Sequence, residues 1–396
     1  MDPVLNPYVP GAGTQPYELA GRGTILDAVR TSLARLALGR PIQSTVLVGL
    51  RGVGKTVLLV KIRQDAEAED LLVLHMEGCE GESLASQLAP GLRSALLGLN
   101  KIEAAKESVK RALGVLKAFV GGFGVSLGDI NVTYDASAGV ADSGDIRSDL
   151  PEMLVEIGKA ASAAGRVVLL VVDELQVLEE DEFAALIMAI HRINQLSLPV
   201  AFVGAGLPQV LALAGNAKSY AERLFVYREI GALNEEDAVA AIENPARAED
   251  VKFEPEAVAE ILRVTKRYPY FIQQWGSDAW NIAQGEKITW RDVLDATEEA
   301  MKALDQSFFR VRFDRCTPAE RGFMRGLAEL GDGTCRMSDV AEVMGVKPDS
   351  LSGVRASLIR KGMIYRPSQG DICFTVPLFD QFMKRIMPEI PRREAV

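Results

Sequence analysis

Residues 49–56 read Gly49-Leu50-Arg51-Gly52-Val53-Gly54-Lys55-Thr56, the pattern G-x-x-x-x-G-K-[ST] with every fixed position filled. The apolar run Ser44-Thr45-Val46-Leu47-Val48 leads in, and Val57-Leu58-Leu59-Val60-Lys61 leads out with helix-compatible residues. Strand, glycine loop and helix is the setting in which this motif works. Its glycines let backbone N–H groups curl around phosphate oxygens, and the helix amino terminus adds the positive end of its dipole. Lys55 can then reach the β- and γ-phosphates, and the Thr56 hydroxyl can hold Mg²⁺. The candidate phosphate-binding set is Gly49, Arg51, Gly52, Val53, Gly54, Lys55, Thr56 and Val57.

A second motif completes the first. Val167-Val168-Leu169-Leu170-Val171-Val172 is followed by Asp173-Glu174. Six apolar residues in a row read as a strand buried on both faces, as in a parallel sheet covered by helices. Two carboxylates then stand at its carboxyl end, the edge where α/β proteins bind ligands. Asp173 is the candidate metal partner of Thr56, and Glu174 the group that polarises an attacking water. Lys55, Asp173 and Glu174 form the candidate catalytic set, and an intact Glu174 points to nucleotide hydrolysis beyond simple binding.

The rest of the chain sets the context. Its 396 residues are 48% apolar and 25% charged, an ordinary globular balance for two or three domains. No apolar run approaches the ~20 residues that span a bilayer, so no membrane association is expected. The start, Met1-Asp2-Pro3-Val4-Leu5-Asn6-Pro7, lacks the basic and apolar regions of a secretion signal. Four scattered cysteines and two distant histidines have no metal-ligand spacing. They fit reduced thiols in a cytoplasmic protein. The net charge of −10 is uneven: residues 306–396 carry 15 Lys and Arg against 11 Asp and Glu, and the remainder 29 against 43. That basic balance permits nucleic-acid contact without demanding it.

The organisation expected is a flexible lead-in over 1–15, an α/β core over 16–233, a helical lid over 234–308 and a C-terminal domain over 309–396. Strands at Thr45–Gly49, Leu71–Met76, Val167–Val172, Pro199–Gly204 and Phe225–Ile230 alternate with helical segments, which argues a doubly wound parallel sheet. The stretch 119–134 alternates apolar and polar residues around Gly128-Asp129. It reads as a β-hairpin inserted in the core, either an interaction surface or decoration.

From Thr317 the pattern is three helices followed by two short strands around Pro367-Ser368-Gln369-Gly370-Asp371, the order of a winged helix-turn-helix. With 350–361 as recognition helix, Ser350, Ser352, Arg355, Ser357, Arg360 and Lys361 are its polar positions. Lys347 lies in the turn, and Arg366 and Gln369 on the wing. Lys347, Ser350, Ser352, Arg355, Arg360 and Arg366 form a candidate face for double-stranded DNA. A winged helix that docks protein is the alternative, which would make the chain a nucleotide-dependent signalling switch or scaffold.

These features together resemble the AAA+ ATPases of the origin-recognition type and the related STAND-like ATPases, over residues ~16 to ~388. Leu19-Ala20-Gly21-Arg22 is similar to the box before the first strand, so the resemblance implies that Arg22 lies near adenine. Gly204-Ala205-Gly206-Leu207-Pro208 falls where the first sensor stands, but offers no polar side chain to a γ-phosphate. Arg267-Tyr268-Pro269-Tyr270-Phe271 falls at the second-sensor helix. Pro269 replaces the usual arginine there, as in STAND switches, where it packs on the base. The resemblance places Arg223 where an arginine finger stands, with a surface ion pair as the alternative reading. It implies an ATP- and Mg²⁺-binding ATPase of low rate that acts on DNA or on protein partners, with self-assembly open.

Overall fold

Three of the five core strands are buried along their whole length, which is why their sequences are mostly apolar. The structure, a computed structural model, describes residues 1–11, 13–125, 139–219, 221–368 and 370–390. Its central sheet is wholly parallel: β1 (Ser44–Gly49), β2 (Leu72–Glu77), β3 (Val168–Asp173), β4 (Val200–Gly206) and β5 (Phe225–Ile230). The spatial order is β2-β3-β4-β1-β5. β1, β3 and β4 occupy the middle and are fully buried, while β2 and β5 are half-exposed edges. This is a P-loop NTPase fold.

The register aligns the carboxyl ends of the inner strands. Val48 pairs with Gly206, Gly49 with Ile230, and Glu77 with Asp173. The glycine loop and the two carboxylates therefore leave the sheet at the same edge.

By contacts the chain divides into two units. The first comprises Arg22–Gly49 and Lys55–Ile230. Helices Leu84–Leu99, Lys106–Gly122, Ile146–Ala164 and Glu180–Gln195 share one hydrophobic core with the sheet. The expected hairpin is corrected at its start. Val109, Ala112, Leu113, Leu116, Phe119 and Val120 are all buried on the helix Lys106–Gly122, so an apolar stripe at helical spacing carries that helix through residues 119–122. Residues 126–134 of the hairpin expectation lie outside the described residues.

The second unit comprises Met1–Gly21, Leu50–Gly54 and Gly231–Val396. Helices Glu235–Ala248, Pro255–Thr265, Pro269–Ile282 and Trp290–Leu304 form its first part, with a small parallel pair, β6 (Lys252–Phe253) and β7 (Lys287–Ile288). The expected flexible lead-in is corrected here. Tyr8 is buried and its hydroxyl donates to the Ile242 carbonyl. Trp280 Nε1 donates to the Asp2 carbonyl at 2.9 Å, and Asn6 Nδ2 to Ser277 Oγ at 3.1 Å. An aromatic ring and three polar anchors are enough to order a terminus that reads as a loop.

The helix Trp290–Leu304 passes into a π-helical turn, Asp305–Phe309. Beyond it come helix Pro318–Glu329, β8 (Cys335–Arg336), helix Met337–Met344, helix Ser352–Arg360, β9 (Ile364–Tyr365), β10 (Asp371–Phe374) and helix Phe379–Ile386. The strands form an antiparallel sheet in the order β8-β10-β9. Phe309, Phe313, Phe374, Phe379 and Phe382 pack ring to ring, sealing the π turn to the last helix. Among the described residues no helix is long and apolar enough to cross a membrane.

Candidate nucleotide site

The loop after β1 needs glycine at two positions. Gly52 has φ +82° and Gly54 φ +91°, backbone conformations that side-chain-bearing residues seldom adopt. The helix Lys55–Ala68 begins at once, so its unpaired N–H groups face back toward the loop. Lys55 is buried, and its Nζ donates to the Gly49 carbonyl at 2.9 Å. That contact holds the ammonium at the carboxyl end of β1.

Thr56 Oγ1 donates to Asp173 Oδ2 at 2.6 Å. Residues 117 positions apart in sequence thus meet at one sheet edge, as the two motifs require. A hydroxyl and a carboxylate side by side are hard oxygen donors and fit Mg²⁺. Burial pushes the Asp173 carboxyl above its ordinary range, while the Thr56 hydroxyl, the Glu174 N–H and the Lys55 ammonium pull it back. A bound cation would favour the charged form further.

Glu174 has φ 52° and ψ 41°, left-handed backbone for a side-chain-bearing residue. Its N–H donates to Asp173 Oδ1 at 2.8 Å, and its carbonyl accepts from Val177 N–H at 2.9 Å. The carboxylate accepts from Gln176 Nε2, and Gln176 Oε1 accepts from Leu207 N–H at 2.8 Å. Strained backbone of this kind persists only where its surroundings over-determine it. Gln176 is absent from the expected site. The only hint in the sequence is its place three residues after Asp173.

Arg223 and Arg228 are exposed. Arg223 lies in the short helix Ala221–Leu224, just before β5. Since Ser44 pairs with Phe225 and Gly49 with Ile230, Arg223 stands at the opposite end of β1 from the glycine loop, ~20 Å away at the rise of a strand. Arg223 therefore stands apart from the Thr56–Asp173 pair of its own chain. Arg22 precedes helix Gly23–Ala37 and is half-buried.

In the second unit, Pro269 is the first residue of helix Pro269–Ile282. Tyr270 N–H donates to the Gly52 carbonyl at 3.2 Å. Lys266 and Arg267 both have positive φ, and the Arg267 carbonyl accepts from Leu233 N–H at 3.0 Å, so this loop is used through its backbone.

The candidate DNA face is mixed. Lys347, Ser350, Ser352, Arg360 and Arg366 are exposed and Arg355 is half-buried. Among the described residues Lys347, Arg355, Arg360 and Arg366 have no ion-pair partner. Ser357 and Lys361 turn the other way: each bonds the buried Glu320 at 2.7 Å. Burial raises the Glu320 carboxyl, but Lys361, Ser357 and the Thr317 N–H outweigh it and hold it at about 2. Gln369 lies outside the described residues.

Residues 18–203 match a family described as AAA ATPase domain, and residues 306–383 match a domain of unknown function (DUF8462). No curated protein matches the chain. Among solved structures, the Walker-type ATPase PABY2304 of Pyrococcus abyssi is 14% identical with a TM-score of 0.61, over 94% of this chain and 97% of that one. The Aeropyrum pernix ORC1 protein, solved in complex with DNA, is 17% identical with a TM-score of 0.48, over 94% of each chain. The Thermotoga maritima RuvB Holliday junction branch migration motor is 16% identical with a TM-score of 0.44, over 96% of this chain and 100% of that one.

Proposed function

We propose that this protein, whose residues 18–203 match the AAA ATPase domain family, binds ATP with Mg²⁺, hydrolyses it slowly and couples its nucleotide state to duplex DNA. The observation that carries the ATPase reading is the Thr56–Asp173 contact, with Glu174 beside it in a held, left-handed conformation. Loop N–H groups and Lys55 would bind the phosphates, Thr56 and Asp173 would hold Mg²⁺, and Glu174 would orient the attacking water. Bound Mg²⁺ neutralises phosphate charge. Pro269 is proposed to pack against the base, and Arg22 to lie near it. A slow rate fits two absences read from the sequence: Gly204 and Ala205 offer no polar group, and Pro269 stands in place of an arginine.

The DNA reading rests on element order and on charge. Helix, strand, two helices and two strands over Pro318–Phe374 is the winged helix-turn-helix order. Helix Ser352–Arg360, with Lys347 before it and Arg366 after it, would face the duplex.

Both halves are testable. Glu174→Gln should retain ATP affinity and lose turnover. Binding of a labelled duplex, measured with ATP, ADP or no nucleotide across a salt series, should fall steeply with salt and differ between nucleotide states. Arg355→Glu with Arg360→Glu should abolish it. Duplex binding that survives this double reversal would remove the assignment of this face, and no duplex binding in any nucleotide state would leave a protein-docking domain.

A further inference from the structure

The strand end where the sequence shows no polar residue is occupied from outside. Gly204 and Gly206 on β4 are not simply empty. A Cβ on Gly204 would meet Leu175 Cδ1 at 2.6 Å, and one on Gly206 would meet Val210 Cγ2 at 2.5 Å and Gln176 Oε1 at 2.9 Å. The 3-10 turn Leu175–Val177, which follows Glu174, therefore fills the space above the end of β4. Leu175 is its buried anchor and Gln176 its polar tip.

The Gln176 amide has only one orientation there. Leu207 N–H can only donate, so the atom facing it at 2.8 Å is Oε1. The amide nitrogen must then face the Glu174 carboxylate, and it does. One rigid side chain thus ties the end of β4 to that carboxylate. We propose that Gln176 is the positioning residue of this ATPase: its amide aims the Glu174 carboxylate and couples that aim to the end of β4, in place of a sensor side chain on β4 itself. This rests on the hydrolysis reading above. In that step Glu174 takes a proton from the water whose oxygen bonds to the γ-phosphorus. The β–γ bridging P–O bond breaks, and ADP leaves with its electron pair. Gln176 exchanges no proton; its donated hydrogen bond fixes the orientation of the Glu174 carboxylate.

The test separates aiming from mere anchoring. Gln176→Glu keeps the length of the side chain and an oxygen for Leu207 N–H, but sets oxygen against oxygen at Glu174. Gln176→Met keeps the volume and removes both bonds. Steady-state turnover and the affinity for a fluorescent ATP analogue are measured for the wild type, Glu174→Gln and both Gln176 variants. We expect kcat to fall on the order of ten- to a hundredfold in both Gln176 variants, the size of one hydrogen bond to a charged group. KM and analogue affinity should stay within about twofold, since the loop and Lys55 are untouched. If Gln176→Glu turns over like the wild type, Gln176 only anchors the turn and the inference is wrong. If the wild type itself does not hydrolyse ATP, the parent reading falls and this one with it. If both Gln176 variants lose nucleotide affinity along with kcat, the side chain is structural and the inference is again overturned.

Discussion

The backbone N–H of Tyr270 donates to the carbonyl of Gly52 at 3.2 Å, so the middle of the glycine loop is bonded to the first turn of helix Pro269–Ile282. The Tyr270 ring stacks on Phe308 at 4.8 Å between centroids, and the Arg312 guanidinium lies 3.9 Å over Phe308. Gly52, Tyr270, Phe308 and Arg312 form one chain of contacts leading from the loop toward the C-terminal helices. A change in the loop has a physical route outward through packed aromatic groups.

Gly52→Ala tests the head of that chain. Its φ of +82° disfavours any Cβ, and the new atom would sit 3.3 Å from Tyr270 Cβ. The left-handed backbone alone costs ~1–2 kcal/mol. Calorimetric titration with ATP should show affinity reduced at least tenfold. An unchanged affinity would mean that the loop does not close around phosphate in this conformation.

Thr56→Ala and Asp173→Asn should separate metal from nucleotide. Each removes one oxygen donor of the pair that meets at 2.6 Å. ATP binding in the presence of Mg²⁺ should fall to the level that EDTA gives with the wild type, while Lys55→Ala weakens binding with or without the metal. Full Mg²⁺ enhancement in Asp173→Asn would contradict the assignment.

The Glu320–Lys361–Ser357 cluster predicts a pH dependence. Glu320 is held down at about 2 against an ordinary 4.5, so its contribution is fully present above about pH 4.5 and is lost as the pH falls toward 2. By linkage that contribution is on the order of 3 kcal/mol. Denaturant unfolding of the 306–383 region followed at pH 6 and pH 3 should show a wild-type loss that Glu320→Gln lacks. Equal pH slopes in the two proteins would show that the pair adds nothing.

Gly276→Ala should undock the amino terminus. The added Cβ would lie 2.5 Å from the Tyr8 ring, which is buried and cannot turn aside. Overpacking of this kind costs ~1–3 kcal/mol. Limited proteolysis near Tyr8 should accelerate in Gly276→Ala, and Tyr8→Ala should do the same through the cavity it leaves. Protection equal to the wild type would refute a docked terminus.

The strands and most helices were legible in the sequence because each is a contiguous apolar run or a 3.6-residue stripe bounded by its own caps. Thr317 and Thr289, for example, each close a capping box. Residues 119–122 misled because Gly121-Gly122 read locally as loop residues, while the buried Phe119 and Val120 keep them in the last turn of the helix Lys106–Gly122. The N-terminal segment misled because prolines and glycines describe local freedom, and Tyr8 is ordered by partners more than 230 residues away, as its bond to Ile242 shows.

The sequence by itself determined the glycine loop, the Asp173-Glu174 pair and the parallel sheet, because each is written in neighbouring residues that obey local steric and hydrophobic rules. Only the tertiary structure decided which of the named groups meet. Register along β1, β3 and β4 brings Thr56 to Asp173, sends Arg223 to the far edge and folds Gln176 over Gly206. Those outcomes depend on strand pairing and on packing between residues distant in the chain, and no short window of sequence carries them.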